Sequence, residues 1–424
     1  MNLYIFNETR RGAIYGVGTY IRELTCALKG SDLTICVVNL ASNKPQIQAE
    51  EIDGIKHWYF PTAISEQQTT DNQKQWELYH RNVIYLLQLH IKDKKGLIFH
   101  LNYNQKGQLA EELKKVFDCR IITTIHYFDW CFKLLGNISH FRKILASEVN
   151  TKLNDVTEAV EESYKREKSL FEISDHIICL SKNTLQVLHD DYNINSDKIT
   201  VIYNGLCDIN QSLTKQKLRH KYHIPNIPVI LFVGRIDDTK GLTYVLQAFK
   251  IALNALPNCH IIIVGDGNFN IYMKECEDIW IHTTWTGLIS KEKLYDLYSI
   301  ADIGVMPSFH EQCSYVAIEM MVHGLPIIGS TSTGLKEMIV NGETGLHIPV
   351  IEHDDRAEID SSLLAEKMLY LLHNHEERKR MGMNARKRYE ELYSSEIFRK
   401  NMLHLYKSLY KKKLKTKENN HLIV

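Results

Sequence analysis

Residues 229–235 read VILFVGR, and this stretch determines the fold that we expect for the chain. Its apolar run has the character of a buried strand, which Gly234 and Arg235 end. A helical spacing of apolar residues follows, through Leu242, Val245, Leu246 and Phe249. Further strand–helix units begin near residues 260, 280, 302, 326 and 345, and the chain after residue 360 reads as helical. Such alternation predicts an α/β domain with a parallel sheet.

The first half of the sequence shows the same alternation. Strand patterns occupy residues 3–7, 33–40, 97–102, 121–126, 176–181 and 199–203. A long helical stretch at roughly residues 141–171 interrupts them and carries a run of charges, namely Glu158, Glu161, Glu162, Lys165, Arg166, Glu167 and Lys168. We interpret these charges as a solvated helix face, because charged runs of this kind are typical of exposed helices.

Length and composition limit the class of protein. A chain of 424 residues with 44% hydrophobic content can bury two cores, since domains usually split beyond roughly 250–300 residues. Basic and acidic residues balance at 51 each, which gives no global attraction to nucleic acid. The nine cysteines show no CxxC or zinc spacing, and we expect reduced, mostly buried thiols. No signal peptide or membrane-spanning run is visible, so we expect a cytoplasmic protein.

Residues 307–321 read PSFHEQCSYVAIEMM and carry the most informative pair of side chains. The helical pattern at 315–322 is apolar on all sides except at Glu319, and a buried carboxylate needs hydrogen-bond donors. Glu311 lies just before this helix, whose first N–H groups favour an anion. A ligand with hydroxyls and phosphates would satisfy both features. The alternative is that Glu319 pairs with a Lys or Arg elsewhere in the chain.

Two cations follow the strand at 229–233. Arg235 and Lys240 lie in the loop at its carboxyl end, where open parallel sheets bind ligands. Together they could neutralise much of the charge of a diphosphate. The alternative is an ordinary solvated loop.

Taken together, Arg235, Lys240 and the Glu-x7-Glu of Glu311 and Glu319 resemble the donor-site signature of retaining glycosyltransferases of the family 4 type, which have the GT-B fold. Other stretches agree: 202–205 (IYNG), 285–287 (WTG), 301–308 (ADIGVMPS), 324–328 (GLPII), 334–337 (GLKE) and 342–345 (GETG). The stretch 15–20 (YGVGTY) also resembles a bacterial subgroup from peptide-modification gene clusters.

The resemblance implies two facing Rossmann-like domains with a cleft between them. We expect an acceptor domain at residues 1–207, a nucleotide-sugar donor domain at 208–393, a helix at 394–412 that recrosses to the first domain, and a basic tail at 413–424. The insertion at 141–171 would then be an acceptor-specific element.

The same resemblance implies roles for single residues in a hexosyl transfer. Glu319 would hold the ribose hydroxyls of a UDP- or GDP-sugar, and Glu311 would meet hydroxyls of the transferred sugar. The departing diphosphate would be stabilised by Arg235 and Lys240, beside Gly234 and the amides around Cys313, Ser314 and Tyr315. No Asp-x-Asp motif stands at a strand end, so we expect neither a metal nor a cofactor.

The N-terminal half contributes candidate site residues whose sequence signals are less specific. Gly16 and Gly18 lie at the first strand–helix junction, where they would let backbone amides approach a phosphate or an acceptor, or simply form a flexible loop. His126 ends a strand at the position where the family contacts the donor sugar, and His100 ends the preceding strand. We favour His126 over His100.

Several alternatives remain open at this stage. A GT-B nucleotide-sugar epimerase would bind the same donor without a separate acceptor, and a non-catalytic nucleotide-sugar-binding protein would keep the same residues. A Rossmann oxidoreductase is disfavoured because 265–268 (GDGN) lacks the third glycine of a dinucleotide fingerprint. The acceptor itself is open: a glycan, a lipid-linked molecule or a peptide.

A lysine cluster near the C-terminus bears on membrane contact. Lys407, Lys411, Lys412, Lys413, Lys415 and Lys417 could hold the protein at an anionic membrane surface. We favour a solvated end over peripheral membrane contact, because the tail is short and polar.

Overall fold

The structure, a computed structural model, describes residues 1–8, 16–62, 72–92, 96–104, 106–146, 155–209 and 213–421. The chain forms two compact units. The first unit comprises Met1–Asp129, Leu153–Gly205 and Ser395–Val424, and the second comprises Trp130–Lys152 and Leu206–Ser394. Residues 130–146 therefore belong to the second unit, although they lie within the N-terminal domain expected from the sequence.

The strands are β1 Asn2–Glu8, β2 Thr34–Ser42, β3 Gln48–Ile52, β4 Ile55–Pro61, β5 Leu97–Leu101, β6 Cys119–Ile125, β7 His176–Cys179, β8 Ile199–Val201, β9 Val229–Val233, β10 His260–Val264, β11 Thr283–Trp285, β12 Ile303–Met306, β13 Ile327–Ser330, β14 Gly345–Ile348, β15 Val350–Glu352 and β16 Ala357–Ile359.

The helices are α1 Gly16–Leu28, α2 Asn72–His90, α3 Gly107–Val116, α4 Asp129–Lys133, α5 Ile138–Leu145, α6 Asp155–Ile173, α7 Lys182–Asp190, α8 Lys215–Lys221, α9 Leu242–Ala255, α10 Phe269–Glu275, α11 Lys291–Ile300, α12 Tyr315–Val322, α13 Leu335–Met338, α14 Ser361–His373, α15 His375–Arg388 and α16 Ser395–His421. Short 3-10 turns occur at Ser196–Lys198, Asp238–Lys240 and Trp280–His282, and a π-helical turn spans Tyr389–Tyr393.

The first unit is built on one eight-stranded sheet in the order β3-β4-β2-β1-β5-β6-β7-β8. All of its pairs are parallel except β3 with β4. The central strands are apolar on both faces, with Ile5, Phe99 and Ile121 completely buried, as expected for a parallel sheet covered by helices. The hairpin of β3 and β4 was not predicted from the sequence.

The second unit contains a six-stranded parallel sheet in the order β11-β10-β9-β12-β13-β14. After β9 the chain adds β10 and β11 on one side and then returns to place β12 on the other side. The boundary between β9 and β12 is therefore the topological switch point of this sheet, where open α/β sheets bind ligands. A small antiparallel pair, β15 with β16, completes the strands described here.

The last helix belongs to the first unit. Along α16, the ring of Phe398 lies 5.7 Å from the ring of Tyr20, and the Tyr406 hydroxyl is 2.8 Å from His100 Nδ1. The Arg399 guanidinium donates to the carbonyls of Ala27 and Lys29 at the end of α1. The C-terminal helix that the sequence predicted to return to the first domain is therefore confirmed.

One charge of the predicted solvated face is buried. Glu158, Glu162, Lys165 and Arg166 of α6 are exposed, but Glu167 is completely buried. The Asp129 amide donates to Glu167 at 2.7 Å and the Tyr192 hydroxyl donates to its other oxygen. Burial, with the nearby Asp129 charge, raises the pKa of Glu167 to about 8. The prediction was wrong for this residue, because long-range donors satisfy a carboxyl that local sequence cannot show to be covered.

None of the helices in the described part of the chain combines the length and the apolar character needed to cross a bilayer.

Replacing Gly205 tests the docking of α16. A Cβ at this position would lie 2.2 Å from Phe398 Cβ, and a backbone-proximal carbon has no room to move aside. We expect Gly205→Ala to destabilise the first unit by about 1–3 kcal/mol, as overpacking does. Urea unfolding followed by tryptophan fluorescence measures it. Gly16→Ala is the control, because nothing lies within 4 Å of a Cβ there; equal midpoints for the two variants would contradict the close packing of α16.

Candidate functional site

The predicted cations and carboxylates converge at the switch point of the second sheet. Arg235 follows β9, and Glu311 follows β12, which pairs with β9 through Ile303 opposite Ile230. Lys240 ends the 3-10 turn Asp238–Lys240 in the same loop as Arg235. Parallel neighbours end at the same edge of a sheet, so the fold itself brings these side chains together.

A close backbone contact holds the two loops in register. The Phe309 amide donates to the Thr239 carbonyl at 2.9 Å. Gly241 has φ of +69°, and a Cβ there would lie 2.3 Å from the Pro307 carbonyl oxygen. Only glycine satisfies both the left-handed conformation and this approach. The loop that carries Lys240 is thereby fixed against the loop that carries Glu311.

Lys240 and Glu311 form an ion pair. Their Nζ and Oε1 atoms are 2.5 Å apart, and both side chains are largely buried. The backbone of Glu311 is also held: its amide donates to Thr333 Oγ1 at 3.0 Å, and its carbonyl accepts from the Gly334 amide at 2.7 Å. The loop from 333 to 334 thus fixes the position of the first carboxylate.

Arg235 is positioned by its own loop. Its Nε lies 2.9 Å from Asp237 Oδ2, and its terminal nitrogen donates to Thr239 Oγ1 at 3.2 Å. The guanidinium carbon also lies 5.7 Å from the centre of the Phe132 ring. About a third of the side chain is exposed, which leaves it accessible to a ligand.

Glu319 is paired with a lysine, which was the alternative that the sequence analysis gave for this residue. The carboxylate is completely buried on α12. Lys291 donates to Oε1, and the Tyr298 hydroxyl donates to Oε2 at 2.8 Å. Lys291 is 43% exposed at its side chain, so one partner of the buried carboxylate reaches solvent.

The sequence analysis missed Lys291, Tyr295 and Tyr298. They occur at i, i+4 and i+7 on α11, which places them on one face of that helix. The Lys291 ammonium lies 5.9 Å from the Tyr295 ring. The signal available in the sequence was a lysine and two tyrosines on one face of a helix. This signal does not indicate which carboxylate these side chains contact.

The N-terminus of α12 lies beside Glu311. Ser314 caps the helix, with its hydroxyl accepting from the Ala317 amide. The acceptor nearest to the Ser314 amide is the thioether of Met338 at 3.2 Å, and thioethers accept hydrogen bonds weakly. Cys313, Ser314 and Tyr315 are all buried, while Gly234 is half-buried with Lys240 Cγ 3.6 Å from where its Cβ would stand. An anionic oxygen would be a stronger acceptor for the Ser314 amide.

The remaining candidates belong to the first unit. His126 follows β6 and is partly exposed; its Nε2 is 3.2 Å from Asn102 Oδ1, and its ring meets Tyr20 edge-on at 4.7 Å. Burial lowers the pKa of His126 to about 3, and the neighbouring His100 adds to this shift. His126 is therefore neutral at physiological pH.

His100 is completely enclosed, with Tyr406 and Thr124 on its two nitrogens, which favours a structural role for it. Gly16 begins α1 and is exposed, and Gly18 is half-buried. The roles of Gly16, Gly18 and His126 stay predictions.

No group of three or more histidine, cysteine or acidic side chains is placed to hold a metal ion among the described residues. Two pairs of adjacent aspartates occur in loops, Asp237-Asp238 and Asp354-Asp355, and three of these four residues contact other side chains in the structure. Asp237 contacts Arg235, Asp238 accepts from the Tyr272 hydroxyl at 2.8 Å, and Asp354 pairs with Lys143. The need for a metal is thus a question for experiment.

Two family models match successive parts of the chain. Residues 14–207 match the family described as Glycosyltransferase Family 4, and residues 214–388 match Glycosyl transferases group 1. An uncharacterised glycosyltransferase of Methanocaldococcus jannaschii is 27% identical over 57% of this chain and 66% of its own length. The match to such curated relatives spans less than two thirds of their length.

Solved structures show the fold. Sucrose-phosphate synthase from Thermosynechococcus elongatus superposes with a TM-score of 0.74 at 21% identity and covers 97% of this chain and 100% of its own. HepE of Anabaena, solved in complex with UDP-glucose, gives a TM-score of 0.70 at 12% identity over 96% of this chain and 100% of its own. The GT-B fold expected from the sequence is confirmed.

A double-mutant cycle tests the buried contact between Tyr298 and Glu319. We expect Tyr298→Phe to lower the free energy of unfolding by about 1.5–3 kcal/mol, because a buried carboxylate loses one donor. In a Glu319→Leu background the same change should cost much less, because no carboxylate remains to be satisfied. Urea unfolding of the four proteins measures the coupling; equal costs in both backgrounds would show that the hydroxyl does not support Glu319.

Proposed function

We propose that this protein is a retaining glycosyltransferase that moves a hexosyl group from a nucleotide-diphosphate sugar, with UDP favoured, to an acceptor hydroxyl without a metal. One observation carries the proposal: Arg235, Lys240 and Glu311 lie at the switch-point edge of the second sheet, Glu319 lies on the helix that follows Glu311, and each of the four is already held by a partner. The matches to glycosyltransferase families and the UDP-glucose complex of the Anabaena neighbour support it.

In this proposal the carboxylates bind hydroxyls of the donor. Glu319 accepts from the ribose hydroxyls, while the Tyr298 hydroxyl remains on its other oxygen. Lys291 reaches solvent, so its ammonium turns outward as the ribose takes its place. Glu311 accepts from a hydroxyl of the transferred sugar when Lys240 turns to the diphosphate.

Charge develops on the leaving diphosphate as the glycosidic bond breaks. Arg235 and Lys240 provide two positive charges there, and the Ser314 amide provides a donor whose present acceptor is only a thioether. Preorganised donors of this kind usually supply the largest share of catalysis. The acceptor oxygen forms the new bond to the anomeric carbon on the face from which the diphosphate leaves, and its proton passes to a leaving phosphate oxygen. Configuration at the anomeric carbon is thus retained.

The two cations also take the place of a divalent metal in the proposed reaction. Each of them gives up one carboxylate partner, Asp237 or Glu311, in favour of phosphate oxygens. The acceptor is a glycan, a lipid-linked molecule or a peptide, and Gly16, Gly18 and His126 of the first unit are its candidate contacts. We place the reaction in the cytoplasm, where nucleotide sugars are made.

Removing either cation should slow transfer. Arg235→Ala and Lys240→Ala are each expected to reduce kcat by about 10²–10³, the usual cost of one preorganised donor. The measurement is release of nucleoside diphosphate from a donor that the wild-type enzyme uses. Lys221→Ala is the matched control, since it also breaks a Lys–carboxylate pair, with Asp296, but on the exposed surface of α8. Wild-type turnover in the Arg235 or Lys240 variant would remove that residue from the mechanism.

Chelation tests the proposed independence of metal. We expect the initial rate to stay within about twofold in excess EDTA, because two protein cations neutralise the leaving diphosphate. The same assay with added Mg²⁺ or Mn²⁺ after chelation is the control. A complete loss of activity that either ion restores would show that a metal carries part of this charge.

A further inference from the structure

His310 precedes Glu311 and has an unusual environment for a polar side chain. Its ring is 7% exposed, and neither ring nitrogen has a hydrogen-bond partner among the described residues. Burial, together with the Lys240 charge, lowers the pKa of His310 to about 3, so the ring is neutral at physiological pH. A buried imidazole without partners destabilises a fold by leaving two polar atoms desolvated. A ligand that reaches the ring would supply the missing partners.

The ring of Phe132 lies beside His310. The two ring centres are 6.3 Å apart with an angle of 76° between the planes. Phe132 is 40% exposed, a high value for a phenylalanine, and its ring also lies 5.7 Å from the Arg235 guanidinium carbon. An exposed aromatic face therefore stands between the unpartnered imidazole and one of the proposed phosphate-binding cations.

Phe132 is held there by the segment 130–146, which packs within the second unit. Trp130 and Phe141 stack with their ring centres 4.2 Å apart, and both are buried. Gly136 has φ of +71°, and a Cβ there would lie 2.4 Å from the Phe309 carbonyl oxygen. The segment is thus pressed against the residue that precedes His310.

A second set of contacts anchors the same segment. The side-chain amide of Asn137 donates to the carbonyls of His353 at 2.7 Å and Arg356 at 3.1 Å. Both carbonyls lie in the connection between β15 and β16. The position of Phe132 is therefore set by packing and hydrogen bonds, as a specificity element requires.

We propose that His310 and Phe132 form the subsite that recognises the transferred sugar, His310 by hydrogen bonds from its ring nitrogens to sugar hydroxyls and Phe132 by contact with the C–H face of the sugar ring. The inference rests on the proposed function and adds the chemical group that this subsite would recognise, a sugar hydroxyl. A neutral imidazole has one donor nitrogen and one acceptor nitrogen on different sides of the ring, and a hydroxyl can pair with either because it both accepts and donates. A phosphate would use only the donor and would leave the acceptor nitrogen unpaired.

His310→Phe tests the subsite, because it keeps an aromatic ring and removes both nitrogens. Calorimetric titration with UDP-glucose, UDP-N-acetylglucosamine, GDP-mannose and the free nucleotides separates sugar from nucleotide recognition. We expect the Kd for the nucleotide sugar that the wild-type protein binds best to rise about five- to tenfold, the usual effect of one buried hydrogen bond. The Kd for the free nucleotide should stay within about twofold, and the thermal midpoint should not fall, because two unsatisfied polar atoms are removed.

Two further variants sharpen the result. Phe132→Ala should weaken binding of the same nucleotide sugar and leave the affinity for the free nucleotide unchanged. His80→Phe is the matched control: His80 is 5% exposed and has no hydrogen bond at either ring nitrogen in the described structure, but it lies in the first unit. That change should leave both affinities as they are.

The outcomes distinguish this inference from the proposed function. A wild-type protein that binds no nucleotide and no nucleotide sugar would overturn the proposed function, and the subsite with it. Wild-type binding that His310→Phe leaves unchanged for the nucleotide sugar would overturn the subsite alone. An equal loss for nucleotide and nucleotide sugar, or a lower thermal midpoint, would show that His310 supports the fold instead of reading the sugar.

Discussion

The backbone contact between the loops after β9 and β12 is the constraint on which the candidate site depends. Gly241 meets the Pro307 carbonyl so closely that any side chain would be excluded, and the Phe309 amide is bonded to Thr239. Lys240 and Glu311 stand at either side of this contact, and their ion pair follows from it. Because the contact is made by main-chain atoms, the relative position of the two loops is independent of the rotamers of Lys240 and Glu311. This independence suits a site whose charged groups must exchange partners during a reaction.

Each cation of the site has a carboxylate partner in the absence of a ligand. Lys240 faces Glu311, Lys291 faces Glu319, and Arg235 faces Asp237. Breaking a buried pair by removing one member is costly, whereas exchanging one partner for another of like charge is not. In the proposed reaction the diphosphate replaces the carboxylates as the partner of the cations, and the carboxylates turn to hydroxyls. The acidic residues therefore keep the cations in place until the donor binds.

The sequence predicted the parallel sheets, the returning C-terminal helix and the positions of Arg235, Lys240 and Glu311, because strand period and loop position are local signals. It could not predict that Lys291 would meet Glu319, since that pair depends on how two helices pack. The hairpin of β3 and β4 was missed although Asp53-Gly54 is a strong two-residue turn signal, here with φ of +51° and +79°. Glu167 was misjudged because its donors come from distant parts of the chain. Long-range partners, not local patterns, account for these errors.

The membership of residues 130–146 in the second unit has a consequence for recombination between related chains. A crossover at the junction of Gly205 and Leu206 appears natural on the sequence, since it separates the two matched families. Such a hybrid would pair one parent's Phe132 and Gly136 with the other parent's residues at 309 and 310. A segment of the second unit is thus inherited with the first unit, and residues 132 and 136 must change together with residues 309 and 310. A hybrid that respects the architecture would need four breakpoints, with 130–146 carried alongside 206–394 and the C-terminal helix kept with the first unit.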